Sequence, residues 1–156
     1  MLTGLGVDDS DEMARVLNDE ALYEFIGGRP PTPRELRDRY AELVAGPGTA
    51  GETWLNWIVR SKSDGVAMGT VQATISTTPG GQRAAEVSWV IGTRWQRRGF
   101  ASEAARSLVD WLGAHGVDDV TAHIASCHRA SETVARRIGL KPTGELHDGE
   151  IIWRNA

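Results

Sequence analysis

Cysteine is nearly missing from this chain of 156 residues: Cys127 stands alone. An intramolecular disulfide is therefore excluded, and so is a cysteine-based zinc cluster. The four histidines, His115, His123, His128 and His147, fall in no HExxH or HxH spacing, so their placement calls for no metal. No stretch comes near the roughly 20 consecutive apolar residues of a membrane span. The opening residues, MLTGLGVDDSDE, lack the basic-then-apolar order of a secretion signal. A reducing, cytoplasmic compartment with no membrane partner is the expectation. Repeats, low-complexity runs and long linkers are absent, and so is a GKS or GKT phosphate loop.

Basic charge is also in short supply. The net charge is −4, and the first 60 residues hold six basic against eleven acidic side chains, while the remainder holds eleven against ten. This balance argues against a general nucleic-acid binder. The acidic first half is either a solvated helix face or a lean towards a cationic partner. With 40% hydrophobic and 24% charged residues, the chain has the apolar content of a folded protein rather than a disordered one. Residues 1–156 are expected to form one domain.

Periodicity and punctuation predict the elements. Residues 8–18 read as a helix, with Asp8, Asp9 and Ser10 as N-cap candidates and Met13, Val16 and Leu17 as an apolar stripe. A short helical piece, 20–26, stops at Gly27-Gly28. Thr32-Pro33-Arg34-Glu35 is a helix start: Thr32 caps, Pro33 suits the first helical position and Glu35 closes a capping box. Leu36, Tyr40, Leu43 and Val44 then share a face until Gly46-Pro47-Gly48. From Trp54 the period changes to two, with strands expected at 54–60, 66–75 and 85–91. A helix over 101–115 buries Ala104, Ala105, Leu108, Val109 and Leu112. A strand at 120–125, a helix at 131–138 and a hairpin of 140–145 with 150–154 complete the chain. This order implies an α/β fold: a mixed, mostly antiparallel sheet with helices on both faces and a parallel crossover within 85–125.

Chemistry concentrates where the strand ending Trp89-Val90-Ile91 turns through Gln96-Arg97-Arg98-Gly99 into the helix beginning Phe100-Ala101-Ser102-Glu103. Consecutive amides from Arg97 to Ser102, backed by the helix dipole, would form an anion site suited to a pyrophosphate. Gly99 permits close backbone approach, Ala101 leaves room and the arginines add charge. A plain strand–turn–helix with surface arginines is the other reading.

Gln96-x-x-Gly99-x-Ala101 is similar to the R/Q-x-x-G-x-G/A motif of the GNAT superfamily, the acyl-CoA-dependent N-acyltransferases. Glu86-Val-Ser-Trp89-Val-Ile resembles the preceding strand in the branch containing ribosomal-protein N-terminal acetyltransferases, and Ala101-Ser-Glu-Ala-Ala resembles that branch's helix start. Ser131-x-x-Val134-x-x-x-x-Gly139-Leu140 resembles its last helix and following strand, and Gly27-Gly28-Arg29-Pro30-Pro31-Thr32 its loop between the first helices. The resemblance implies a GNAT-like sheet whose central parallel strands, 85–91 and 120–125, splay to admit acetyl-CoA as cosubstrate. It puts the pantetheine on the backbone of Trp89, Val90 and Ile91 and the pyrophosphate on the amides of Arg97, Arg98, Gly99, Phe100, Ala101 and Ser102. Gln96 belongs to the same motif, and His128 and Ser131 would approach the cofactor from the last helix. The implied reaction is direct acetyl transfer to a primary amine, whether a protein N-terminus, an aminoglycoside, a polyamine or a small metabolite. Two positions depart from the family pattern. His128 stands where Asn is frequent, and Ala135 stands where many relatives carry a Tyr that serves as acid to the leaving thiolate. Residues 1–5 also leave the first strand short. A catalytically inactive CoA-binding module of the same fold and a phosphate binder of unrelated fold are the alternatives.

Acyl transfer needs a free amine, and an alkylammonium with a reference pKa near 10.4 supplies little at neutral pH. Glu86, on the strand before the motif, is the candidate base, with a solvent-facing or ion-paired structural role as the other reading. A backbone N–H near Val90 or Ile91 would donate to the developing oxyanion. Ser131 would bond the sulfur, cap the last helix, or both. Cys127 and His128 are adjacent, so on an extended chain they face opposite ways, which argues against a nucleophilic pair. Of the six tryptophans most are expected in the core. Trp54 and Trp57 should lie on opposite faces, one of them free to line an acceptor pocket whose rim, on the resemblance, is the Arg29–Thr32 loop. Trp153 fits either the core or a homodimer contact.

Overall fold

Seven strands form one sheet in the computed structural model, which describes residues 1–156. In chain order the strands and α-helices are β1 (Leu2–Gly4), α1 (Ser10–Val16), α2 (Pro33–Ala45), β2 (Glu52–Arg60), β3 (Ala67–Thr77), β4 (Arg83–Ile91), α3 (Phe100–Ala114), β5 (Asp119–Ala125), α4 (Arg129–Arg137), β6 (Leu140–His147) and β7 (Glu150–Asn155). Short 3₁₀ turns occupy Val7–Asp9, Glu20–Tyr23 and Thr93–Trp95. The sheet order is β1-β2-β3-β4-β5-β7-β6, and every neighbouring pair is antiparallel except β4 and β5. No helix is long and apolar enough to cross a membrane.

Strand alternation divides the core between two faces. Val59 of β2, with Val71, Ala73 and Ile75 of β3 and Ala85 and Val87 of β4, packs beneath Ala104, Ala105, Leu108 and Leu112 of α3 and Val134 and Ala135 of α4. Ile58, one residue away, turns to the opposite face, where Met13, Ala14 and Val16 of α1 meet Leu36, Tyr40 and Leu43 of α2. Trp57 packs with the first cluster and Trp54 with the second, as their odd spacing requires. At the start of α2 the Thr32 hydroxyl accepts from the Glu35 N–H at 3.2 Å, and the Glu35 carboxylate accepts from the Thr32 N–H at 2.9 Å. Arg29 adds a 2.6 Å ion pair to the same carboxylate.

Several elements differ from the expected pattern. The helix over 8–18 is broken: Asp9 turns back to accept from the Gly6 N–H at 2.8 Å and from Arg60 at 2.7 Å, so the α-helix proper begins at Ser10. The last helix begins at Arg129 rather than 131, because Cys127 adopts a left-handed φ of 68° and His128 takes the cap position. Ser131 is therefore not the N-cap. Val44 is 57% exposed rather than buried with Leu43. Among the tryptophans only Trp153 is fully buried; the other five lie at the margins of the two clusters or, for Trp111, towards solvent. Trp153 thus belongs to the core, with the Arg136 guanidinium 5.1 Å from its ring centroid.

Candidate active site

The parallel pair at the centre of the sheet is short. Ala84, Ala85 and Glu86 of β4 stand in register with Asp119, Val120 and Thr121 of β5, and pairing then stops. From that point β4 continues only alongside β3, and β5 only alongside β7. The inner edges of Trp89–Ile91 and of the second half of β5 therefore face a wedge-shaped opening whose apex is at Glu86. The Gly92 N–H donates to Met68 at 2.8 Å. By strand alternation Val90 and Ser88 also turn their backbone groups to β3, whereas Trp89 and Ile91 turn theirs to the opening. Val90, expected as a backbone donor there, is turned away by this register and offers the opening no amide.

The turn after β4 is shaped by two residues in the left-handed region, Arg97 at φ 62° and Gly99 at φ 82°. Such alternation gathers successive N–H groups into a concave nest. None of the six amides from Arg97 to Ser102 meets an acceptor in the protein; the first bond of α3 is from the Glu103 N–H to the Gly99 carbonyl, at 3.0 Å. The 15-residue α3 adds the positive end of its dipole. Gln96 is committed elsewhere, its side-chain amide donating to the Ile91 carbonyl at 2.9 Å and bracing the turn against β4. Arg97 and Arg98 pair with no carboxylate, and Arg98 lies 5.0 Å over the Phe100 ring. A third arginine, which the sequence pattern did not single out, arrives from α4: Arg137 donates to the Ser102 hydroxyl at 3.4 Å. The result is a positively charged, donor-rich cradle.

At the other lip of the opening, His128 stacks flat on Phe25, with centroids 4.2 Å apart and planes 6° apart. Its Nε2 lies 3.4 Å from the Ser131 hydroxyl, so the two predicted residues of the last helix do come together. Burial holds His128 below the ordinary imidazole value, against the opposing pull of Glu132 and Glu24. Cys127 is exposed and paired with nothing. Ala135, at the position where the resemblance implies a frequent Tyr, is wholly buried.

Glu86 projects from the sheet face opposite α3. Its carboxylate is 53% exposed and lies 3.5 Å from Nδ1 of His123 on β5. On the same face Ser88 donates to Gln72 at 3.3 Å, and Gln72 donates to Asn56 at 2.7 Å. This polar row runs from the apex to a groove of about 270 Å³ between α2 and the sheet, lined by Trp54, Asn56, Trp57, Leu43 and Val44. His123, Arg137 and Phe25 had no motif to announce them; only the period-two position of His123 on β5, in phase with Thr121, was available as a signal.

Comparison with known proteins follows the same outline. A domain profile described as acetyltransferase (GNAT) domain matches residues 1–141. No curated protein sequence matches the chain. Among solved structures, the ribosomal-protein-S5-alanine acetyltransferase of Vibrio fischeri superposes with a TM-score of 0.79 at 18% identity, covering 99% of this chain and 91% of that one. The aminoglycoside acetyltransferase AAC(6')-Ib in complex with coenzyme A gives 0.78 at 16% identity, covering 99% and 92%. A GNAT-family acetyltransferase of Bacillus anthracis gives 0.74 at 16%, covering 98% and 90%. At these identities the structures speak for the fold alone, while the domain match extends over most of the sequence. The chain belongs to the GNAT family of acetyltransferases, whose acyl donor is acetyl-CoA.

Proposed function

We propose that this protein transfers an acetyl group from acetyl-CoA directly to a primary amine, with Glu86 taking the amine's proton. The observation that carries the reading is the end of pairing at Glu86 and Thr121, which sets a carboxylate at the apex of an opening whose far end is a cradle of six unused amides. The cradle of Arg97–Ser102, with Arg97, Arg98 and Arg137, holds the pyrophosphate. The Trp89 carbonyl and the Ile91 N–H, the Ile91 carbonyl being occupied by Gln96, bond the pantetheine as a sheet edge bonds an added strand. The Trp89 N–H, nearer the apex, serves as an oxyanion donor. Acetyl-CoA supplies an activated thioester, whose thiolate, with a reference pKa near 8.5, leaves without a strong acid. Ser131 donates to the departing sulfur. The acceptor enters from the face bearing Glu86, along the row Ser88–Gln72–Asn56. The neighbouring folds named for a ribosomal-protein alanine and for aminoglycosides support a cationic amine as acceptor class.

The test is thiol release from acetyl-CoA with an alanine-initiated peptide, kanamycin and spermidine as acceptors. Turnover with one of them is expected, and Glu86→Gln should lower kcat by about 100-fold or more, the usual scale of a general base, with acetyl-CoA affinity unchanged. Undiminished turnover in that variant would remove Glu86 from the mechanism. The absence of a hydroxyl at Ala135 favours a second reading, a CoA-binding module without turnover. Tight acetyl-CoA binding with no release across the whole panel would establish it.

A further inference from the structure

We propose that His123 is a positioning residue for this reaction, walling the Glu86 carboxylate at the apex and drawing off the proton that Glu86 takes from the amine. The inference rests on the assignment of Glu86 as base. His123 lies two residues past Thr121, the last residue of β5 in register with β4, so both share the face that bears Glu86. It stands where the two strands part. Its Nδ1 is 3.5 Å from Glu86 Oε1, an ion-pair separation longer than a made hydrogen bond, and such contacts are often long before substrate binds. The imidazole is 19% exposed against 53% for the carboxylate, so it forms the inner wall of the pair. Beyond it the ring of His147, on β6, lies 5.0 Å away at 50° and is itself 3.4 Å from Asp148 near the outer edge of the sheet. From β7 the charged groups on this face are Arg154, opposite Thr121 and held 3.6 Å from Asp119, and Glu150, opposite Ala125. Carboxylate, imidazole and second imidazole thus lead from the apex to the exposed sheet edge.

The chemistry suits that order. A carboxyl has a reference pKa near 4.3 and an imidazole near 6.5, so a proton prefers the imidazole by about a hundredfold. An N–H bond of the acceptor's ammonium breaks, leaving its electron pair on nitrogen, and an O–H bond forms on Glu86. That O–H bond breaks as an N–H bond forms at the bare Nδ1 of neutral His123, and the imidazolium then gives that proton to water, which restores the neutral ring with Nδ1 free. Glu86 is returned to its charged form for the next acceptor.

Two measurements decide the matter. In the free protein, the NMR resonances of the His123 ring should move in Glu86→Gln, because the carboxylate lies 3.5 Å from its Nδ1, while those of His115 stay in place. An unchanged His123 ring spectrum would overturn the pairing, and this readout needs no acceptor. With kanamycin and the alanine-initiated peptide as probes, His123→Gln should lower kcat by about tenfold, less than loss of the base itself, and displace the rising limb of the pH profile while KM for acetyl-CoA stays constant. Added imidazole should restore activity to His123→Gly. A wild-type rate and pH profile in His123→Gln, beside an inactive Glu86→Gln, would refute the relay and leave Glu86 as base. Full activity in Glu86→Gln would instead refute the assignment beneath it.

Discussion

Gly99→Asp puts the anion cradle to a quantitative test, because the backbone and charge parts of the change can be separated. A Cβ at Gly99 would meet no atom within 4 Å, so nothing in the protein clashes with a side chain there. The cost of alanine is conformational, a left-handed φ of 82° worth about 1–2 kcal/mol of stability. Aspartate adds a charge beside the six open amides. At about 6 Å and an effective dielectric of about 40, each unit of like charge costs about 1.4 kcal/mol, and two phosphate charges about 3 kcal/mol, or about 100-fold in Kd. A Debye length of about 8 Å at about 0.15 M salt roughly halves this, leaving about tenfold. Titration calorimetry with acetyl-CoA, ATP as control, at about 0.01 M and about 0.15 M salt should therefore show a loss in Gly99→Asp that deepens at low salt. Gly99→Ala should lose less than about threefold, because the alanine methyl brings no charge. Equal losses in the two variants would mean that conformation, not charge, governs the site. Wild-type affinity in folded Gly99→Asp would mean that the pyrophosphate binds elsewhere.

Three further outcomes follow from other parts of the structure. A Cβ at Gly69 would overlap the Val90 carbonyl oxygen and lie 2.9 Å from Ile91 Cα, so Gly69→Ala should force β3 from the end of β4 and cost about 3 kcal/mol or more, read by urea unfolding. Phe25→Ala should rehydrate His128 and raise its NMR titration midpoint; because burial lowers the folded value, the contribution to stability is complete above about 6.5 and is lost as pH falls below it. The Arg29 guanidinium, with the Thr32 N–H, holds the Glu35 carboxyl at about 2. Its contribution is present above the ordinary carboxyl value near 4.3 and lost as pH falls through about 2, so the stability difference between wild type and Glu35→Gln should shrink across that window in acid unfolding.

What could be read from the sequence was what local chemistry decides. Thr32, Pro33 and Glu35 specify a helix start within four residues, and the structure has that box in full. The motif from Gln96 to Ala101 is equally local: left-handed Gly99 sets the turn, and the amides follow. Readings failed where a distant partner or an unmarked torsion decided. The left-handed Cys127 starts α4 early, and nothing in Ser-Cys-His announces a positive φ. Val44 satisfies the helical spacing of Leu36, Tyr40 and Leu43, but the end of α2 overhangs the groove, so its side chain meets solvent. The Asp9 carboxylate is claimed by Arg60, 51 residues away, which no window on the first helix includes. The His123–Glu86 contact depends on the register of two strands separated by a whole helix, which periodicity cannot supply.

That register carries a last consequence for the free protein. A parallel pair in mid-sheet normally satisfies every inner backbone group, yet here the ladder ends at Glu86 and Thr121 with five residues of β4 still to run. Unpaired sheet edges invite an added strand, and the proposed function makes the extended pantetheine the guest in this position. The alternation fixed by the Gly92–Met68 bond makes the expectation residue-specific. Ser88 and Val90 donate across to β3 and should exchange slowly whether or not acetyl-CoA is present. Trp89 and Ile91 point into the opening and should exchange quickly in the free protein, despite lying at the centre of the sheet, and slow by about tenfold or more on saturation with acetyl-CoA. Hydrogen exchange read by NMR at single residues separates the two pairs. Protection of the Trp89 amide in the free protein would mean that β4 and β5 do not part where the register places them. Protection gained at Val90 instead of Trp89 would mean that the ladder is shifted by one residue, which would also carry Glu86 to the other face of the sheet and away from any acceptor.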